Sequence, residues 1–142
     1  MPFISQVAAG TRPMLSVFGG DYPTHDGTGV RDYIHVMALA EGHAATLKHL
    51  ANRADGAHLT LNLGTGQGHS VLDVIHAFQA ATQQPIPYQI VARRPGDVPA
   101  YYADASRAQH LLGWKPSRTL QDMCAATWRW QAANPEGYPG TR

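Results

Sequence analysis

The sequence predicts an α/β-class domain of α+β layout, with short strands and about five helices. Three observations carry this. Apolar residues recur at helical spacing in several stretches, and most of these are opened by a capping residue or closed by Gly or Pro. The intervening β-formers come in short runs bounded by turn residues. Strand and helix do not alternate in the regular way that builds one parallel sheet.

Residues 1–9 read as a short helix closed by Gly10, a favourable left-handed stop. Residues 15–18 read as a strand. Residues 19–29 hold Gly19, Gly20, Gly27 and Gly29 with Asp21, Pro23 and Asp26, which makes them a loop. Residues 30–36 are rich in β-formers, and an extended chain there places Arg31, Tyr33 and His35 on one face. Met37, Ala40, Ala44 and Leu47 fit helical spacing over 37–50, and residues 52–56 break it. Residues 59–63 read as a short apolar strand, and 64–68 as a glycine turn. Ser70 is an N-cap, and Val71, Val74, Ile75 and Phe78 form the inner face of the helix it opens. Pro85 and Pro87 end that region. A strand is expected over 88–91 and a polar loop over 93–99. Asp104 can cap a helix over 105–112. Thr119 can cap another, with Leu120, Met123, Thr127 and Trp130 along one side, stopped by Asn134 and Pro135.

The 142 residues make one domain, taken as 1–142. Hydrophobic residues are 44% and charged ones 15%, below the usual quarter for a soluble domain. A surface short of charge suits a face that is normally covered. The net charge of +1 gives no electrostatic case for nucleic acid or a membrane surface. Of eleven basic residues only Lys48 and Lys115 are lysines, and arginine suits phosphate and carboxylate. The lone Cys124 excludes an internal disulfide and a cysteine zinc cage. No apolar run reaches the roughly 20 residues a bilayer span needs, and no signal peptide pattern is present. A cytoplasmic location is the default expectation.

Three motifs invite chemistry. Gly64-Thr65-Gly66-Gln67-Gly68 sits between an expected strand and helix, where a dinucleotide fingerprint belongs. Its third glycine is one residue early, and Gln83 and Gln84 stand where an acidic residue is needed, so a tight turn is the better reading. Arg93-Arg94-Pro95-Gly96-Asp97 can grip a phosphate, with Asp97 accepting sugar hydroxyls; a solvated loop with a local Arg–Asp pair is the plain alternative. Tyr101 and Tyr102 follow closely. Gly29 to Val36 embeds Arg31, Asp32 and Tyr33 in an apolar run, where they must pair or bind something. The histidines, scattered from His25 to His110, form no H-x-x-x-H or HExxH pair, and surface or capping roles are expected for them, with no metal.

These strings resemble the UDP-glucose 4-epimerase family of extended short-chain dehydrogenases. The likeness runs from Leu15-Ser16-Val17-Phe18 through Asp21-Tyr22-Pro23-Thr24 to Gly29-Val30-Arg31-Asp32-Tyr33-Ile34-His35-Val36. It continues in Asn62-Leu63-Gly64-Thr65-Gly66 with Ser70-Val71, in Arg93-Arg94-Pro95-Gly96-Asp97, and in the tryptophan-rich last helix. It covers the whole chain but only the family's C-terminal, substrate-binding lobe. The family's NAD-binding Rossmann domain, with G-x-x-G-x-x-G and a catalytic Tyr-x-x-x-Lys, has no counterpart here.

The resemblance implies an isomerase of carbohydrate metabolism that interconverts UDP-glucose and UDP-galactose through a 4-keto sugar, with NAD held by the other lobe. It implies no catalytic residue in this chain, and therefore no activity from it alone. It implies a family homodimer whose pairing helices lie outside this sequence. The partner it implies is a UDP-hexose. Arg31 and Arg94 match the diphosphate arginines, and Tyr33 a residue at the uridine–phosphate end. Ser16, Val17 and Phe18 match the strand at the uracil, Val71 its pocket, and Asp97 a carboxylate near the ribose. Tyr101 matches the residue bordering the hexose, where a bulky ring favours glucose and galactose over N-acetylated sugars. Alternatives are a lobe of a related dehydratase or decarboxylase, and a non-catalytic UDP-binding or interaction module.

Overall fold

The computed structural model describes residues 1–53, 56 and 58–138. Its elements run α1 (Pro2–Ala8), β1 (Leu15–Phe18), β2 (Val30–Asp32), α2 (Val36–Ala51), β3 (Gly68–Ser70), α3 (Val71–Thr82), β4 (Tyr88–Val91), β5 (Ala100–Tyr101), α4 (Ser106–Leu112) and α5 (Leu120–Ala133). Part of the expected break at 52–56 (Ala54 and Asp55), Ala57, and the end of the Gly/Pro-rich tail (139–142) lie outside the described residues.

The strands form two small sheets. β1 pairs with β4 in parallel, Leu15 opposite Tyr88 through Phe18 opposite Val91. β2 sits between β3, antiparallel, and β5, parallel. β5 was not expected from the sequence, and β3 occupies the end of the glycine turn. A Cβ on Gly68 would stand 2.5 Å from Val30 Cγ1, so only glycine lets β3 lie this close to β2.

The expected strand over 59–63 does not form. Its leucines are half-buried and Thr60 and Asn62 exposed, the alternation of a strand, but no described segment ladders with it. A strand is defined by a neighbour that takes its N–H and C=O groups. Side-chain bonds tie the segment down instead: Arg107 donates to the Thr60 carbonyl at 3.2 Å, and the Asn62 side chain donates to the Asp104 carbonyl at 3.2 Å.

Two helix starts are built as the sequence reads. Ser70 and Asp73 form a reciprocal capping box on α3, and Thr119 and Asp122 form one on α5. β2 stops at Asp32, short of the expected 36, because His35 turns the chain into α2: its Nδ1 accepts the Met37 N–H at 3.1 Å. Asp104 serves α4 from one residue further out, accepting the Ser106 N–H at 2.9 Å.

α1, α3 and α5 pack with β1 around one core of Ile4, Val7, Val17, Val74, Ile75, Phe78, Ile86, Leu120 and Met123. Cys124 lies within it, and burial pushes its thiol up to about 11, which makes it inert packing. A buried Ser5 hydroxyl donates to Gln131 at 3.0 Å and ties α1 to α5. α2 forms where its spacing places it, but its apolar stripe does not turn inward. The stripe Met37, Ala40, Ala44, Leu47 is exposed, and the helix buries Ala38 and Gly42 instead. The reason is Trp114, whose ring lies against Gly42 and whose Nε1–H donates to the Ala38 carbonyl at 3.2 Å. Small residues let the indole reach the helix backbone.

Candidate functional site

One cavity of about 340 Å³ opens where α1, β1, β2, α3 and the 93–97 loop converge. Its floor is apolar, from Ile4, Leu15, Val71, Val74 and Ile75. Its polar groups are few and convergent: Ser16, Arg31, Tyr33, Arg94 and Asp97. Such a composition is typical of a small-molecule site. Larger clefts exist, one of about 740 Å³ between α3 and residues 115–121 and one of about 1010 Å³ beside α1. In the first, the Arg118 guanidinium is spent on Glu41 at 2.9 Å. Size alone does not designate a site; convergence of paired arginines over an apolar floor does.

Arg31 is held rather than free. Its guanidinium donates to the Val30 carbonyl at 2.8 Å, lies over the bare Cα of Gly29, and meets Asp97 at 3.6 Å. Arg94 stacks its guanidinium 3.7 Å from the centre of the Phe18 ring, a cation–π contact that keeps its N–H fork flat and available. Tyr33 is half-buried; burial raises its phenol pKa, the nearby Arg31 charge opposing, so its hydroxyl is neutral.

Seven of the nine residues proposed from sequence thus line this cavity: Ser16, Phe18, Arg31, Tyr33, Val71, Arg94 and Asp97. Two do not. Val17, 1% exposed, points from β1 into the core, because alternate residues of a strand face opposite sides. Tyr101 is 67% exposed and lies beside Arg31 in the β2–β5 ladder, outside the cavity lining. Sequence reasoning did not propose the other lining residues, Met1, Phe3, Ile4, Leu15, Gly29, Val74 and Ile75, the last two being read only as the inner face of a helix.

The chain's second polar string does structural work. The Asp32 carboxylate accepts the N–H groups of Thr65 at 3.0 Å, Gly66 at 3.0 Å and Ala103 at 3.2 Å, and the Thr65 hydroxyl. The neighbours Arg31 and Asp32 thus find separate partners, Arg31 in Asp97 and Asp32 in the glycine turn.

A further cluster was invisible in sequence. His25 Nε2 approaches Asp26 at 3.5 Å and Asp73 at 3.4 Å, gathering an exposed loop and the start of α3. Ser70 donates its hydroxyl to Asp26 and its N–H to Asp73 at 2.9 Å, and Thr28 donates to Asp26 through both its N–H and its hydroxyl at 2.8 Å. Partial burial opposes ionisation of both carboxyls, but these hydrogen bonds and the His25 charge outweigh it and hold both below the ordinary range. Depressed folded values contribute stability that is fully present above the ordinary carboxylate pKa of 3.8. That stability is lost as pH falls through the lower folded values. Melting curves across pH 5 to about 2 are expected to fall less steeply for Asp26→Asn than for the parent chain.

The family profile described as GDP-mannose 4,6 dehydratase matches residues 1–127. The chain belongs to the GDP-mannose 4,6 dehydratase family. Within that family it is 56% identical over 138 residues to a UDP-glucose 4-epimerase of Drosophila melanogaster, covering 97% of this chain and 39% of that protein. It is 56% identical to the corresponding enzyme of Yersinia pestis, covering 98% and 40%. A crystal structure of UDP-glucose 4-epimerase from Stenotrophomonas maltophila, with bound NAD and formylated UDP-arabinopyranose, shares 54% identity at a TM-score of 0.91, over 95% of this chain and 40% of that one. This member of the GDP-mannose 4,6 dehydratase family thus spans about 40% of the length of the relatives it matches.

Proposed function

We propose that this chain supplies the UDP-hexose-binding lobe of a UDP-glucose 4-epimerase, which interconverts UDP-glucose and UDP-galactose. The observation that carries this is that Arg31 and Arg94 both line one apolar-floored cavity, Arg94 stacked on Phe18. Two forks of donors match a diphosphate, and the β1 strand beside them offers a flat apolar surface to a base. Asp97, already turned toward Arg31, can take ribose hydroxyls. Tyr101, one strand over from Arg31, is assigned to the hexose end. Tight hold on the nucleotide with loose hold on the sugar is what inversion at C4 requires, since the sugar must turn within the site.

NAD, the cofactor of the proposed activity, supplies hydride chemistry when bound, but the residues here do not fit it. A pyrophosphate needs free backbone N–H groups at a glycine turn. Those of Thr65 and Gly66 are taken by Asp32. The chain's part is to bind and orient the nucleotide sugar; no redox or proton-transfer step is assigned to its residues. The same proposal places the complete protein in the cytoplasm as a homodimer that binds neither nucleic acid nor membrane. No helix among the described residues is long and apolar enough to cross a bilayer.

Titration calorimetry of the chain with UDP is expected to give a dissociation constant of about 10–100 µM, or roughly 5.5–7 kcal/mol, with no turnover of UDP-galactose. GDP-mannose in a parallel titration decides between the epimerase reading and a dehydratase one. Absence of UDP heat from a cooperatively melting sample, or stronger binding of the guanine nucleotide, overturns the proposal.

A further inference from the structure

The adjacent arginines Arg93 and Arg94 have parted roles. Arg94 faces the cavity and stacks on Phe18. Arg93 turns the other way. Its Nε donates to the Asp21 carboxylate at 2.6 Å, and its terminal nitrogen to the Asp21 backbone carbonyl at 2.6 Å. Its guanidinium also lies 4.1 Å from the centre of the Tyr22 ring. One side chain thus makes a two-pronged bond and a ring stack to the loop that leaves β1.

The surroundings leave room for this clamp. Gly19 accepts no side chain: a Cβ there would overlap the Tyr22 ring and come within 3.0 Å of Arg93 Cγ, and its φ of +83° already favours glycine. The Gly19 N–H donates to the Val91 carbonyl at 2.9 Å, the last rung joining the ends of β1 and β4. Arg93 fastens the next stretch beyond that rung. Tyr22 is 5% exposed, so the ring under the guanidinium is a fixed platform. The hydrogen bond from Arg93 also holds the Asp21 carboxyl below its ordinary range. An exposed ion pair alone contributes little; here the backbone acceptor and the buried ring add to it.

We propose that Arg93 is a positioning residue: by pinning the 92–94 segment to the 19–22 loop, it fixes the direction in which Arg94 enters the cavity. The proposal rests on the reading of that cavity as a diphosphate site. It predicts that Arg93 affects ligand binding only through Arg94.

The test has a ligand arm and a ligand-free arm. In the first, UDP is titrated into the parent chain, Arg93→Ala, Arg94→Ala and the double variant. Arg93→Ala is expected to weaken UDP about fivefold to tenfold, yet to change nothing further once Arg94 is alanine, the non-additivity of residues acting through one another. An equal loss in both backgrounds overturns the inference. In the second arm, side-chain NMR of Arg94 is followed without ligand. The Phe18 ring current shifts the Arg94 δ-methylene protons in the parent, and the shift is expected to collapse in Arg93→Ala and to shrink in the milder Asp21→Ala. An unchanged shift overturns positioning whether or not UDP binds. Failure of UDP to bind the parent, with the shift behaving as expected, removes the diphosphate reading and leaves the clamp standing.

Discussion

Replacing Asp32 by alanine is expected to cost about 2–4 kcal/mol of folding stability, measured by urea unfolding. One carboxylate accepts from Thr65, Gly66 and Ala103 N–H groups and from the Thr65 hydroxyl, and so joins three segments far apart in sequence. Each bond to a charged acceptor contributes more than a neutral one. The sum is moderated because the Gly66 N–H is exposed and water can replace part of what is lost. Packing allows no substitute: a Cβ on Gly64 would stand 2.6 Å from both the Asp32 carboxylate and Ala103 Cβ. Asp32→Asn keeps one acceptor oxygen and is expected to lose about half as much. A cost below roughly 1 kcal/mol for the alanine variant would show that solvent, not Asp32, satisfies the turn.

The pattern of what sequence reveals follows from where each constraint resides. α3 and α5 were legible because capping chemistry and apolar spacing are local; Val74, Ile75, Phe78, Leu120 and Met123 reach the core as expected, whereas Trp130, read on the same face of α5, is 47% exposed. The stripe on α2 located the helix but not its buried face, because helical spacing says which residues share a face, not whether anything covers it; Trp114, distant in sequence, chose Ala38 and Gly42. Residues 59–63 carried a strand's alternation, yet a ladder needs a partner that no local pattern supplies. The site divides the same way. Residue types that suit a nucleotide sugar were recognisable as strings, and Arg31, Arg94 and Asp97 do meet at one cavity. Their pairing was not legible. Asp97 lies three residues from Arg94 but engages Arg31, and Arg93 engages Asp21 across the sheet, because loop closure rather than sequence distance sets those contacts.

Arg31→Ala and Arg94→Ala are each expected to weaken UDP binding about 30-fold, near 2 kcal/mol, and together to place it beyond calorimetric detection. Both arginines offer planar forks, and bidentate contact with phosphate oxygens is lost whole when the fork is removed. The two losses should not be equal. Arg94 is held by a ring and leaves no charge behind when it goes. Arg31 neutralises Asp97 at 3.6 Å, and its removal exposes that carboxylate to the incoming diphosphate, so Arg31→Ala is the worse of the two. The partner charge also predicts partial rescue: adding Asp97→Asn to Arg31→Ala should recover some affinity by removing the repulsion. Arg94→Lys should recover only part of its loss, because an ammonium keeps the charge but neither the fork nor the flat stack on Phe18. Uridine is the control for the arginine variants, since it lacks the diphosphate and should bind Arg31→Ala and Arg94→Ala as it binds the parent. A parallel loss of uridine would mean that the arginines shape the cavity instead of meeting phosphate, and rising salt, which screens charge but not packing, should then leave the parent's UDP affinity unmoved.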